Sequence, residues 1–80
     1  MKNARDFIGV DTEILGGQPV FKGTRVTIET LFTHLEHGES LDSFLEDFPT
    51  VSKDQAIGVI EIASKLLSSK NIIKMYETAA

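Results

Sequence analysis

The stretch Gly16-Gly17-Gln18-Pro19-Val20-Phe21-Lys22-Gly23-Thr24-Arg25-Val26 divides the chain into an extended part and a helical part. Glycine tolerates φ > 0 without steric cost, and proline fixes φ while removing a backbone donor. The spacing therefore predicts tight reversals at Gly16-Gly17 and at Gly23, with Pro19-Val20-Phe21 as a short strand between them. Pro19 makes that strand an edge or marks its start. Upstream, Phe7 to Val10 reads as a strand, Asp11-Thr12 as a turn and Glu13-Ile14-Leu15 as a second short strand, while Met1 to Asp6 is polar and aperiodic. Ribbons this short are marginal alone in water, so they are expected to lie on helices or to exchange across a dimer, the preferred arrangement.

Downstream the period changes to that of a helix. Ile28, Leu31, Phe32 and Leu35 line one face of a first helix from about Ile28 to His37, with Thr27 as N-cap, Glu29 in the first turn and Gly38 as the left-handed stop. A second helix has Ser40 as cap, Asp42 in its first turn and Leu41, Phe44, Leu45 and Phe48 on its apolar face, and Pro49 ends it. A third begins at Ser52, with Gln55 completing a capping box. Its stripe of Ala56, Val59, Ile60, Ala63 and Leu67 is broadened by Ile57, Ile62 and Leu66, more than one small core needs. Gly58 in mid-helix costs about 1 kcal/mol relative to alanine and so points to the close approach of another segment. Ser68-Ser69-Lys70-Asn71 interrupts the stripe, and Ile72-Ile73-Lys74-Met75-Tyr76 resumes apolar character before the Ala79-Ala80 end. That tail is read either as helix packed on its own subunit or as an arm for a partner protein.

Eighty residues make one domain, 1–80, divided into a β-rich N-terminal arm (7–26), a three-helix bundle (27–67) and a C-terminal tail (70–80). A chain of this size buries a modest fraction of its unfolded surface, and with no cysteine to staple it, oligomerisation or a partner is the expected aid. The missing cysteines, together with the lack of a signal-like or membrane-length apolar segment, predict a cytoplasmic protein with no membrane association. The formal net charge is −4, and residues 39–80 carry four basic groups against seven acidic ones. An acidic chain needs a local basic patch, or a dimer, to bind nucleic acid.

The run Gly17-Gln18-Pro19-Val20, then Gly23-Thr24-Arg25, supported by Gly38 and by Phe48-Pro49, resembles domain of unknown function family 433, a small bacterial family regarded as antitoxin-like. The resemblance runs from about Asp11 to about Ala63, and departs from the family at Thr12, where proline usually follows the aspartate. It implies a type II toxin–antitoxin pair in which the partner is a PIN-like ribonuclease, with the complex also binding its own operator.

The second and third helices have the dimensions of a helix-turn-helix, with the first as the third member of a homeodomain-like bundle. The exposed side of the third helix offers Lys53, Asp54, Gln55, Gly58, Glu61 and Lys65. Gln55 suits adenine and Lys53 and Lys65 suit phosphates, whereas Asp54 and Glu61 repel the same backbone, and a solvated mixed-charge face competes as the reading. Lys22 and Arg25 are a basic pair near the glycine turns; anion binding there competes with a turn in which Thr24 makes a local hydrogen bond and Arg25 pairs an acidic neighbour.

His34 and His37, three apart on the first helix, could start a metal site, but with no cysteine and with Glu36 and Glu39 as the only nearby carboxylates no metal and no cofactor is expected, and helix-end histidines commonly bond the last carbonyls. Ser40, Ser43 and Ser52 suit caps and first turns rather than nucleophiles. The acidic cluster Glu36, Glu39, Asp42, Glu46, Asp47 and Asp54 reads as a solvated face that would suit a basic protein surface.

The sequence thus predicts an α+β fold: short N-terminal β-strands followed by a three-helix, helix-turn-helix bundle. No enzyme is indicated. The leading function is an antitoxin-like module, a homodimer, that holds its partner with Ile72, Ile73, Met75 and Tyr76. A stand-alone helix-turn-helix regulator and a structural dimerisation module are the alternatives.

Overall fold

The computed structural model describes residues 3–13 and 15–79, without the side chains of 71, 78 and 79. Met1, Lys2 and Ala80 lie outside the described residues, as does Ile14 at the centre of the expected second strand. The elements are α1 (Ala4–Phe7), β1 (Ile8–Gly9), a 3-10 turn (Leu15–Gly17), β2 (Val20–Phe21), α2 (Ile28–Glu36), α3 (Leu41–Asp47), α4 (Lys53–Leu67) and α5 (Lys70–Ala79). The fold is α+β, a two-stranded antiparallel hairpin near the N-terminus and then a succession of helices.

The N-terminal arm departs most from the sequence reading. The Asn3 side chain accepts from the backbone of Arg5 and the Asp6 carboxylate accepts from Asn3, so two side chains close a helical turn out of a segment without periodicity. Phe7 ends that turn instead of starting a strand. The expected strand through Glu13 and Leu15 is replaced by a turn, because the Asp11 carboxylate caps the Glu13 amide and Leu15, Gly16 and Gly17 have φ of 51°, 68° and 84°. Three successive left-handed residues cannot propagate a strand. They do make the Gly16-Gly17 reversal that the glycines predict.

Within the chain, Ile8 faces Phe21 and Gly9 faces Val20. The other side of β2 is bonded as well: the Phe21 amide donates to Val26 and the Ile28 amide to Pro19. Pro19 therefore precedes the strand and contributes only its carbonyl, consistent with a strand start. Gly23 turns the chain at φ 78°, and the Thr24 hydroxyl donates to the Phe21 carbonyl while accepting from the Val26 amide. The Gly-Thr-Arg triplet is the lock of a tight loop.

All three anticipated caps are present: Thr27 accepts from Thr30, Ser40 from Ser43, and Ser52 exchanges bonds with Gln55 in a capping box. At the end of α2, Gly38 (φ 80°) donates to Leu35 and Glu39 donates to His34, the paired bonds of a Schellman motif. The core gathers one or two residues from four elements and a loop: Phe21 from β2, Leu31 from α2, Phe44 from α3, Val51 from the loop, and Ala56 and Val59 from α4. Phe21 and Phe44 are fully buried with ring centroids 6.0 Å apart, a favourable tilted pair. Gly58 is buried too, because the Phe7 ring lies directly over it; a Cβ there would stand 2.5 Å from Phe7 Cζ. The segment that mid-helix glycine admits is the N-terminal arm.

Candidate interaction surfaces

The apolar stripe of α4 splits along its length. Ala56 and Val59 are buried, Ile60, Ile62 and Ala63 are half-buried, and Leu66 and Leu67 are 63% and 65% exposed. Leu67 is thus not a core residue as its spacing suggested, because the core ends before the helix does. After Ser68-Ser69 the tail resumes as α5, a separate helix. Ile72, Ile73, Met75 and Tyr76 share one side of it by their spacing, while Lys70, Lys74 and Glu77 fall on the other. Ile72 is half-buried, whereas Ile73, Met75 and Tyr76 are exposed, Tyr76 at 77%. The end of α4 and the length of α5 therefore present five large apolar side chains to water, Leu66, Leu67, Ile73, Met75 and Tyr76, on a chain whose core is complete without them. The stripe is wider than one small core needs, as its sequence indicates, and the structure places the surplus at its end, after Val59, the last fully buried residue of α4.

The proposed nucleic-acid residues are placed unevenly. Gln55 Nε2 donates to the Lys22 carbonyl and Gln55 Oε1 accepts from the Ser52 amide, so both ends of that amide are occupied by the fold. Gln55 joins the Gly23 loop to the start of α4, and Gly58 is covered by Phe7; neither is a free reader of bases. Lys22, Arg25, Lys53 and Lys65 are exposed, and none forms an ion pair among the described residues. Arg25 does not find the acidic neighbour expected of it; it lines an open cleft of about 940 Å³ between the hairpin and the N-terminus of α2, with Gln18, Thr27, Thr30 and Phe48 on its walls. Lys65 lies ten residues beyond Gln55, about 15 Å farther along the helix.

The acidic residues Glu36, Glu39, Asp42, Glu46, Asp47 and Asp54 are all exposed, consistent with a solvated face. His34 and His37 each direct Nδ1 at the carbonyl four residues earlier, Thr30 at 2.9 Å and Thr33 at 2.7 Å. His34 alone has acidic neighbours, Glu39 at 3.4 Å and Asp47 at 3.8 Å from Nε2. The Schellman turn folds Glu39 back onto the helix it follows, a link that the glycine stop foreshadows but that side-chain spacing does not. Among the described residues no helix is long and apolar enough to cross a membrane.

A family model described as "Protein of unknown function (DUF433)" matches residues 8–63, from β1 to the middle of α4. No curated protein and no solved structure matches the chain. The match ends before Leu66, so these five exposed apolar side chains lie outside the matched region.

Proposed function

The chain belongs to the DUF433 family, and from that premise we propose that it is an antitoxin-like binding module that sequesters a partner protein, a PIN-like ribonuclease toxin, and acts as a homodimer in the cytoplasm. The observation that carries this reading is the exposure of Leu66, Leu67, Ile73, Met75 and Tyr76, at the end of α4 and along α5. Large apolar side chains grouped outside a closed core mark a surface that another protein covers. Methionine and tyrosine suit such a surface, the first because it repacks and the second because it adds apolar area at little entropic cost. The nature of the partner rests on the antitoxin-like resemblance of the Gly17–Arg25 motifs.

In this mechanism α5 lies in a groove of the ribonuclease and blocks its substrate channel, while residues 8–63 hold the helix and support the dimer. Blocking needs no chemistry from this chain. The decisive experiment co-expresses a PIN-like ribonuclease from the same genome with the full chain or with a chain ending at Ser69. Only the full chain should bind and neutralise it; equal neutralisation by both would end this reading.

Binding of the complex to its own operator is the second part of the proposal, supported by the exposed cations Lys22, Arg25, Lys53 and Lys65. In a dimer these become two sets of phosphate contacts, which would offset the acidic net charge of each chain. A stand-alone regulator would show the same DNA binding with no ribonuclease present.

A further inference from the structure

We propose that His34, Glu39 and Asp47 form a binding site for a divalent transition-metal ion of the zinc class. One side chain comes from each of three successive segments: the last turns of α2, the turn after Gly38, and the last residue of α3. One ligand atom of each lies within 4.8 Å of the others.

The imidazole is oriented for this role. A carbonyl oxygen only accepts, so the 2.9 Å contact with Thr30 places a hydrogen on His34 Nδ1 and leaves the Nε2 lone pair of the neutral ring facing the two carboxylates. A backbone carbonyl on the far nitrogen is the usual partner of a metal-bound histidine. The ring is also clamped edge-on by Phe44 and Phe48, with centroids 5.5 and 5.3 Å away, so its direction is set by packing.

The spacing fits an ion. Ligands about 2.0–2.1 Å from a tetrahedral zinc stand about 3.4 Å from one another. Nε2 is 3.4 Å from the Glu39 carboxylate and 3.8 Å from that of Asp47, and with all three ligand atoms within 4.8 Å of one another, small movements of the two exposed carboxylates complete the fit. Two carboxylates and a neutral imidazole match a divalent charge, and one nitrogen with two oxygens suits zinc and its neighbours better than calcium or magnesium, which take oxygen alone. A water would complete the shell. Such an ion clips the end of α3 to the end of α2 across the turn at Gly38, and it neutralises two of the exposed carboxylates.

His37 supplies the control, since its Nδ1 makes the same carbonyl bond but its ring forms no ion pair with a carboxylate among the described residues. Metal-stripped full-length chain is titrated with zinc chloride by calorimetry, and its melting is followed by circular dichroism. The expected result is one saturable ion per chain, and a rise in Tm of about 10 °C at a free zinc concentration a hundred times the Kd. His34→Gln should weaken binding at least tenfold while His37→Gln leaves it unchanged. Because His34 also packs on two phenylalanines, the double variant Glu39→Gln/Asp47→Asn tests the site through exposed residues alone, and it should lose the ion with its fold intact. An absence of saturable binding, or equal affinity in the His34 and His37 variants, overturns the proposal.

Discussion

Gly58→Ala tests whether the N-terminal arm is docked by a glycine-sized gap. In an ordinary helix interior the substitution stabilises by about 1 kcal/mol, because alanine has less backbone freedom to lose. Here the new methyl would sit 2.5–2.6 Å from three ring atoms of Phe7, a separation at which the ring has to leave. Phe7 is half-buried, so returning it to water costs about 2 kcal/mol, and the helical gain is outweighed. The net expectation is a loss of about 1 kcal/mol, or about 5 °C in Tm for a domain this small. Urea unfolding followed by circular dichroism measures it, and the sign carries the test. In a Phe7→Ala background the ring is gone, so the same Gly58→Ala change should stabilise by about 1 kcal/mol. Stabilisation of equal size in both backgrounds would refute the reasoning, because Phe7 would then contribute nothing at that site.

Ser52→Ala should cost about 1 kcal/mol in urea unfolding by opening the capping box at the start of α4. Gly38→Ala should also cost about 1 kcal/mol: a Cβ there meets nothing within 4 Å, so the whole effect is the backbone penalty at φ 80°, and an unchanged midpoint would show the Schellman turn to be dispensable. Ile73→Asp with Tyr76→Asp should leave unfolding within about 0.5 kcal/mol of the parent, since both side chains are exposed, while removing partner binding. Arg25→Ala and Lys53→Ala should each reduce the salt slope of operator binding by about 1, as measured by fluorescence anisotropy; slopes equal to the parent's would free both residues of a phosphate role.

The helical half was legible because its signals are local. Thr27, Ser40 and Ser52 bond within three residues of themselves, and Gly38 acts on the turn that contains it, so a linear reading reaches both partners at once. Gly58 announced a close approach correctly, yet Phe7 is far away in sequence and nothing nearby names it. The arm was misread where local hydrogen bonds overrode pattern: the Asn3–Asp6 box made a helical turn from an aperiodic segment, and Asp11 with Leu15-Gly16-Gly17 removed an expected strand.

Site residues divided along the same line. The apolar run of the tail fitted either packing on its own subunit or an arm, and the exposure of Ile73, Met75 and Tyr76 leaves those three side chains unpacked; the surplus of the α4 stripe was legible, but that it falls at Leu66 and Leu67 depends on where the neighbouring elements stop. Gln55 looked free because its partner, the Lys22 carbonyl, belongs to another part of the chain, and Arg25 looked paired because acidic residues are plentiful, although none stands beside it among the described residues. Histidine spacing suggested His34 with His37; the turn at Gly38 instead brings Glu39 back to His34, and the end of α3 brings Asp47.

The central claim is that the exposed apolar side chains of α4 and α5 hold a ribonuclease. Its most direct test is to capture proteins from native lysate with the tagged full chain and with the Ile73→Asp/Tyr76→Asp chain in parallel, identify them by mass spectrometry and weigh the complexes by light scattering. A stoichiometric complex with a PIN-like ribonuclease, formed by the full chain and lost in the variant, is the predicted result. A bare dimer from both, or the same ribonuclease held equally by both, would contradict the claim.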